Sequence, residues 1–174
     1  KKFAPLLSFF ERRRYQIKEE NSGNNLIDHV VIIGAHRVGG DIVKFLKKES
    51  QPLVVLDHNP HQVETLLSLN VPVVYGDMSD PEILDILHLE GAKIIISTAP
   101  DLEGNKTLLE DLKVRHISAP VIVRTETIKD AKRLYKAGAD FVIIPDLLAG
   151  DFLVNMLRDH LSDKSYFKDR PRIE

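Results

Sequence analysis

Six short apolar runs rich in β-branched residues recur along the chain: VVII (30–33), LVVL (53–56), VPVVY (71–75), KIIIS (93–97), PVIVR (120–124) and FVII (141–144). They are nearly continuous in apolar residues rather than alternating, which is the pattern of strands covered on both faces in a parallel sheet. Helical patterns fill the gaps. Asn59-Pro60 and Asp80-Pro81 each place a capping side chain before a proline at the first helical position. Asp130, Ala131, Leu134, Tyr135 and Ala137 fit a helix closed by Gly138, and Leu147, Leu148, Phe152, Met156 and Leu157 fit one over Asp146 to Leu161. Strands alternating with helices predict an α/β chain with a doubly wound, Rossmann-like, six-stranded parallel sheet. Right-handed crossovers give strand order 3-2-1-4-5-6. Ligands in such sheets bind beyond the carboxyl ends of the strands, where the order reverses. That point lies beside Gly34.

The stretch HVVIIGAHRVGG (29–40) runs from the first strand into a glycine-bearing turn and a helix. Gly34 allows the tight turn and Gly39 allows close helix-strand packing, while the helix amino terminus offers free N–H groups and positive potential to a phosphate. Two glycines at this spacing are weak evidence alone and better evidence in this context. Asp57 ends the second strand, 23 residues after Gly34. An acidic residue at about 20 residues' spacing accepts hydrogen bonds from ribose hydroxyls and disfavours a 2′-phosphate. The simpler alternative is that Asp57 only caps the turn before Asn59. Gly76-Asp77 follows the third strand, where contacts to an adenine edge would fall, with Met78 placed to pack on the ring; a plain turn before the Asp80 cap fits equally. Arg37, inside the loop, and Arg124, ending the fifth strand, are the candidate phosphate cations. Val38 in the loop and His58 beside Asp57 complete the candidate contacts. His58 and His61 form no metal site without a third ligand. Asp101, Glu103, Glu110 and Asp111 read as a solvated acidic helix face.

A net charge of −2 gives no sign of nucleic-acid binding. The absence of cysteine excludes disulfides and thiolate metal sites, and it is compatible with a reducing compartment. Residues 1–28 differ from the rest: Lys1, Lys2, Arg12, Arg13, Arg14 and Lys18 mingle with Phe3, Leu6, Leu7, Phe9 and Phe10 before the turn-rich NSGNN. They read as a basic juxtamembrane linker, or as a solvated helix. The start at Lys1 suggests a piece of a longer polypeptide, or processing of early residues. Residues 29–161 form the expected nucleotide-binding domain and 162–174 a tail.

The ordered series VVIIGAHRVGGDIVKFL, VVLDHNP, VVYGDMSDPEIL, AKIIISTAPD and GADFVIIP resembles the regulator of K+ conductance domain (RCK, also called KTN or TrkA-N). The resemblance covers residues 29 to about 160. The Asp-His-Asn after the second strand and the histidine in the loop look most like the versions appended to Kef-type cation:proton antiporters. The resemblance implies a cytoplasmic domain behind a covalently linked membrane transport domain, in the inner (plasma) membrane of a prokaryote. It implies control of K+ or Na+ flux by NAD(H) or by AMP, ADP or ATP, and a homodimer with crossing carboxyl-terminal helices. Carried over by position, Gly34, Arg37 and Gly39 would hold phosphates and Asp57 the ribose. Asp77 and Met78 would meet the adenine, and Ser97, Thr98 and Arg124 would line the rest of the crevice. Two features depart from the pattern. His36 stands where a dinucleotide loop has its middle glycine; a side chain there hinders approach to a pyrophosphate and favours AMP or ADP over NAD(H). It could itself meet a phosphate or point to solvent. Only a short tail, SDKSYFKDRPRIE, follows the last helix, so ligands of the second lobe found in many channel regulators are not expected.

A regulatory nucleotide-binding module is the leading expectation, and no catalytic residues are assigned. The rival is an NAD-binding oxidoreductase fragment, which would need a substrate domain and acid-base groups that little chain remains to build. A sheet serving only dimerisation is the third reading.

Overall fold

The computed structural model describes residues 26–168, so most of the expected basic linker (1–25) and the end of the tail (169–174) lie outside the described residues. Six parallel strands form one sheet in the predicted order β3-β2-β1-β4-β5-β6. They are β1 (His29–Ile33), β2 (Leu53–Asp57), β3 (Val73–Tyr75), β4 (Ala92–Ser97), β5 (Val121–Arg124) and β6 (Phe141–Ile143). The helices are α1 (Arg37–Lys48), α2 (Pro60–Ser68), α3 (Pro81–Ile86), α4 (Leu102–Val114), α5 (Ile128–Ala137), α6 (Pro145–His160) and α7 (Lys164–Lys168). β3 is shorter than its apolar run because Val71 N–H bonds back to Leu66 O at the end of α2, and Pro72 has no N–H to give a ladder.

Local chemistry sets the helix ends. Asn59, Asp80, Asp101 and Thr127 each accept a hydrogen bond from an early amide of α2, α3, α4 and α5. Such a cap contributes about 1 kcal/mol. Gly138 closes α5 with φ +117, the left-handed conformation that glycine adopts most easily. The acidic face expected on α4 is only partly solvated. Asp101 is the cap, and Asp111 pairs with Arg115, which also holds Asp85.

The crossovers place α1 and α2 on one face and α3, α4 and α5 on the other, giving two cores. Val43, Leu46 and Leu66 pack on Val30, Ile32, Val55 and Val73. Ile83, Leu84, Leu108, Leu112 and Leu134 pack on Val31, Ile33, Leu56, Ile95 and Val123. β1 and β2 are buried at every position, as expected of strands covered on both sides. β4, β5 and β6 are not. Ile96, Ile122 and Phe141 pair across the sheet on the face that α1 and α2 cover elsewhere. Ile96 and Ile122 are only half-buried, and Phe141 is exposed. Helix α6 buries none of its residues and leaves Leu147, Leu148, Phe152, Leu153, Val154 and Leu157 exposed.

Leu108 is fully buried, so Leu108→Ala should cost about 2–5 kcal/mol in urea unfolding. Val114→Ala, on the same helix but 77% exposed, should stay within about 0.5 kcal/mol.

Candidate functional site

The turn after β1 is built by close backbone contact. Gly34 has φ +80, and a Cβ at Gly39 would lie 2.0 Å from the Gly34 carbonyl oxygen. Only glycine at position 39 lets α1 begin this near the strand end. Thr98, just past β4, donates its hydroxyl to that same carbonyl at 2.8 Å. Helix α1 starts at Arg37, and His36 gives it no side-chain cap. The first amides of α1 are therefore available to an anion, with the helix dipole behind them.

Asp57 is 5% exposed. Its Oδ2 accepts Ala35 N–H at 2.9 Å and its Oδ1 accepts Asn59 N–H at 2.8 Å. The carboxylate thus ties the β1–α1 turn to the β2–α2 turn. The turn-bracing role is the one these bonds show; a carboxylate has about four acceptor positions, so about two remain.

A cleft of about 560 Å3 opens at these strand ends, where the order reverses between β1 and β4. Gly34, His36, Arg37 and Val38 line one side. Asp57, His58, Asp77 and Met78 line the next, and Thr98 and Arg124 the far wall. Two predicted residues do not line it. Gly39 lies under the turn, and Ser97 is fully buried with its hydroxyl 4.0 Å from Met78 Sδ. Met78 itself is mostly core and shows only an edge to the cleft. The residues fit an anion joined to a sugar and a flat base: cations at two ends, glycine-cleared backbone at the turn, and a carboxylate between. His61 is exposed, and among the described residues no cluster suits a metal.

Three residues escaped the sequence reading. Gln62 lines the cleft and donates to Ala35 O at 2.7 Å. Asn105 is fully buried and donates to Ala99 O at 2.9 Å and Arg124 O at 3.2 Å, joining the exits of β4 and β5. Its signal was an amide on the apolar stripe of Leu108, Leu109 and Leu112. Asp146 lines the cleft in the first turn of α6, so that helix begins at the site wall.

The TrkA-N domain family model matches residues 30–145. The chain belongs to the TrkA-N family. This TrkA-N chain is 35% identical over 132 residues to a protein of Alkalimonas amylolytica named as a K(+) efflux antiporter, KefB, covering 76% of the chain and 20% of that relative. It is 29% identical over 139 residues to the glutathione-regulated potassium-efflux system protein KefC of an Escherichia coli strain, covering 78% and 22%. The chain thus spans about a fifth of the length of these relatives. Among solved structures, the TrkA-N domain of the Escherichia coli inner membrane protein ybaL is similar at TM-score 0.73 and 23% identity, covering 77% of this chain and 99% of that one. The AMP-bound Kef C-terminal domain of Shewanella denitrificans gives 0.67 and 18%, covering 80% and 85%. The GsuK channel bound to NAD gives 0.64 and 23%, covering 82% and 26%. At these identities the structural likenesses speak for the fold.

At the cleft edge, Ser79 donates its hydroxyl to Asp77 at 2.6 Å and its amide at 2.8 Å. The hydroxyl bond, then the amide bond, hold the Asp77 carboxyl below its ordinary value. A pKa depressed by folding gives stability that is full above the unfolded-state value and lost as pH falls through the folded-state one. In Ser79→Ala the Asp77 carboxyl should titrate nearer its ordinary value by NMR, and the stability lost between the unfolded-state and folded-state values should shrink, giving a shallower acid limb.

Proposed function

We propose that this domain is the cytoplasmic nucleotide sensor of a monovalent cation (K+ or Na+)/proton antiporter of the Kef type, joined in the full protein to a membrane transport domain. It acts as a regulatory module rather than an enzyme. The observation that supports this best is the meeting of Gly34, Arg37, Asp57, Asp77 and Arg124 around one cleft, in a chain 35% identical to a relative named as an efflux antiporter. The amides of α1 and Arg37 hold a phosphate, Asp57 the ribose hydroxyls, and the Asp77–Met78 edge the base. The ligand is an adenine nucleotide. AMP or ADP is favoured over NAD(H) or ATP because the His36 side chain stands at the turn where the pyrophosphate bridge of a dinucleotide would press on the backbone. Two structural relatives are an AMP-bound Kef C-terminal domain and an NAD-bound GsuK channel, which agrees with a nucleotide of this class. No helix among the described residues is long and apolar enough to cross a membrane.

The domain works as a homodimer. Helix α6 presents Leu148, Phe152 and Leu157 without burying them, and the Ile96–Ile122–Phe141 face of the sheet lacks full cover. The same two surfaces complete each other between copies. Because α6 starts at Pro145 and Asp146 on the cleft wall, a ligand can favour one arrangement of the pair. It does so only by the difference in its affinity for the two arrangements.

Isothermal calorimetry with AMP, ADP, ATP, NAD+ and NADH should show AMP or ADP binding, and Asp57→Ala should weaken it at least about tenfold, the loss of one charge-assisted contact. Absence of binding by all five would refute the nucleotide reading. Sedimentation should show a dimer that Phe152→Asp converts to monomer; a monomeric wild type would refute the pairing.

A further inference from the structure

Arg124 is held differently from Arg37. Its backbone is fixed: it pairs with Ile143 in the sheet, its carbonyl accepts Asn105 Nδ2 at 3.2 Å, and Thr125 N–H bonds Ile143 O at 2.9 Å. Only the guanidinium can change partners. Its Nη1 makes one long contact to Thr98 O at 3.4 Å. Its Nη2 bonds Glu126 Oε1 at 2.7 Å. Its Nε is buried and has no partner among the described residues. Arginine–carboxylate pairs are frequently bidentate; Glu126 takes a single nitrogen here. Glu126 follows two residues on, in the bend between β5 and α5, and its carboxylate reaches back to the guanidinium. The Glu126 side chain is 59% exposed, while Arg124 lines the cleft.

We propose that Glu126 is a built-in competitor for the ligand's phosphate end: it holds Arg124 by one nitrogen, and a phosphate-bearing ligand displaces it by taking the fork on two. This deepens the nucleotide reading and rests on it for the identity of the ligand, though not for the exchange at Arg124. Glu126 costs the ligand little, because an exposed ion pair is weak and is screened by water. It discriminates nonetheless. A neutral nucleoside gains nothing from Arg124, whereas each phosphate ligand must first release Glu126. Glu126 therefore sets the concentration at which the site fills, independently of the residues that grip the ligand.

The test compares wild type, Glu126→Gln, Arg124→Gln and the double variant of the whole chain, titrated with AMP, adenosine and inorganic pyrophosphate by calorimetry and thermal shift. Glu126→Gln should tighten AMP and pyrophosphate about two- to fivefold, the worth of an exposed ion pair, and leave adenosine unchanged. The gain should vanish in the Arg124→Gln background, since the cycle isolates the pair. Wild-type affinity for both anions in Glu126→Gln overturns the proposal, as does a gain that survives without Arg124. If AMP binds the wild type but Glu126→Gln changes nothing, this exchange is wrong and the nucleotide reading stands. If AMP fails while pyrophosphate shows the Arg124-dependent gain, the nucleotide reading fails and the exchange stands. If neither anion acts on any variant, both are wrong.

Discussion

The hydrogen bonds from Ala35 and Asn59 to the Asp57 carboxylate hold the cleft together. Without this carboxylate the buried Ala35 N–H would have no partner, at a cost of about 1–3 kcal/mol. One carboxylate at the end of β2 satisfies both amides and fixes the spacing between the two strand exits. Thr98 repeats the device from the other side by bonding the Gly34 carbonyl. The result is a turn braced from β2 and from β4, with Gly39 packed beneath it. Rigidity here matters because a regulatory ligand must find its donors already in place.

The far wall is built to a looser specification. Asn105 locks the backbones of Ala99 and Arg124, but the Arg124 side chain is shared between Thr98, Glu126 and the cleft. The site thus joins a fixed half, which suits a ribose and the first phosphate, to an adjustable half beside the first turn of α6. A ligand that reaches both halves touches the helix proposed to pair with a second copy. In the proposed dimer, that contact would couple binding to the second copy without any change in the sheet.

Much of this was legible in the sequence. The six apolar runs gave the strand order, because parallel strands buried on two faces need unbroken β-branched runs, and Gly34 with Asp57 marked the reversal point. Asn59 and Asp80 announced their helices through the proline that follows. The same runs misled for β4 to β6, where one face is left half-covered. A single chain's hydrophobic pattern records that a residue is apolar, not which molecule covers it. The bonds that Asp57 accepts from two amides could not be told from a ribose contact, because a carboxylate at a strand end looks alike in either setting. Gln62 escaped because a side-chain bond to a backbone carbonyl 27 residues away leaves no periodic trace, whereas Asn105 did leave one, as an amide on an apolar helix stripe. Ser97 and Gly39 were placed at the right strand and turn, but which way a residue faces there depends on sub-ångström packing.

The TrkA-N membership and the cleft geometry rest on different observations, and they meet in one claim: the turn at Gly34 and the carboxylate of Asp57 receive a single adenine nucleotide. A crystal structure of the domain grown with AMP tests it most directly. The phosphate should lie at the amides of α1 beside Arg37, with a ribose hydroxyl on Asp57 and the base at the Asp77–Met78 edge. AMP bound elsewhere on the domain, or absent from the cleft at saturating concentration, would contradict it.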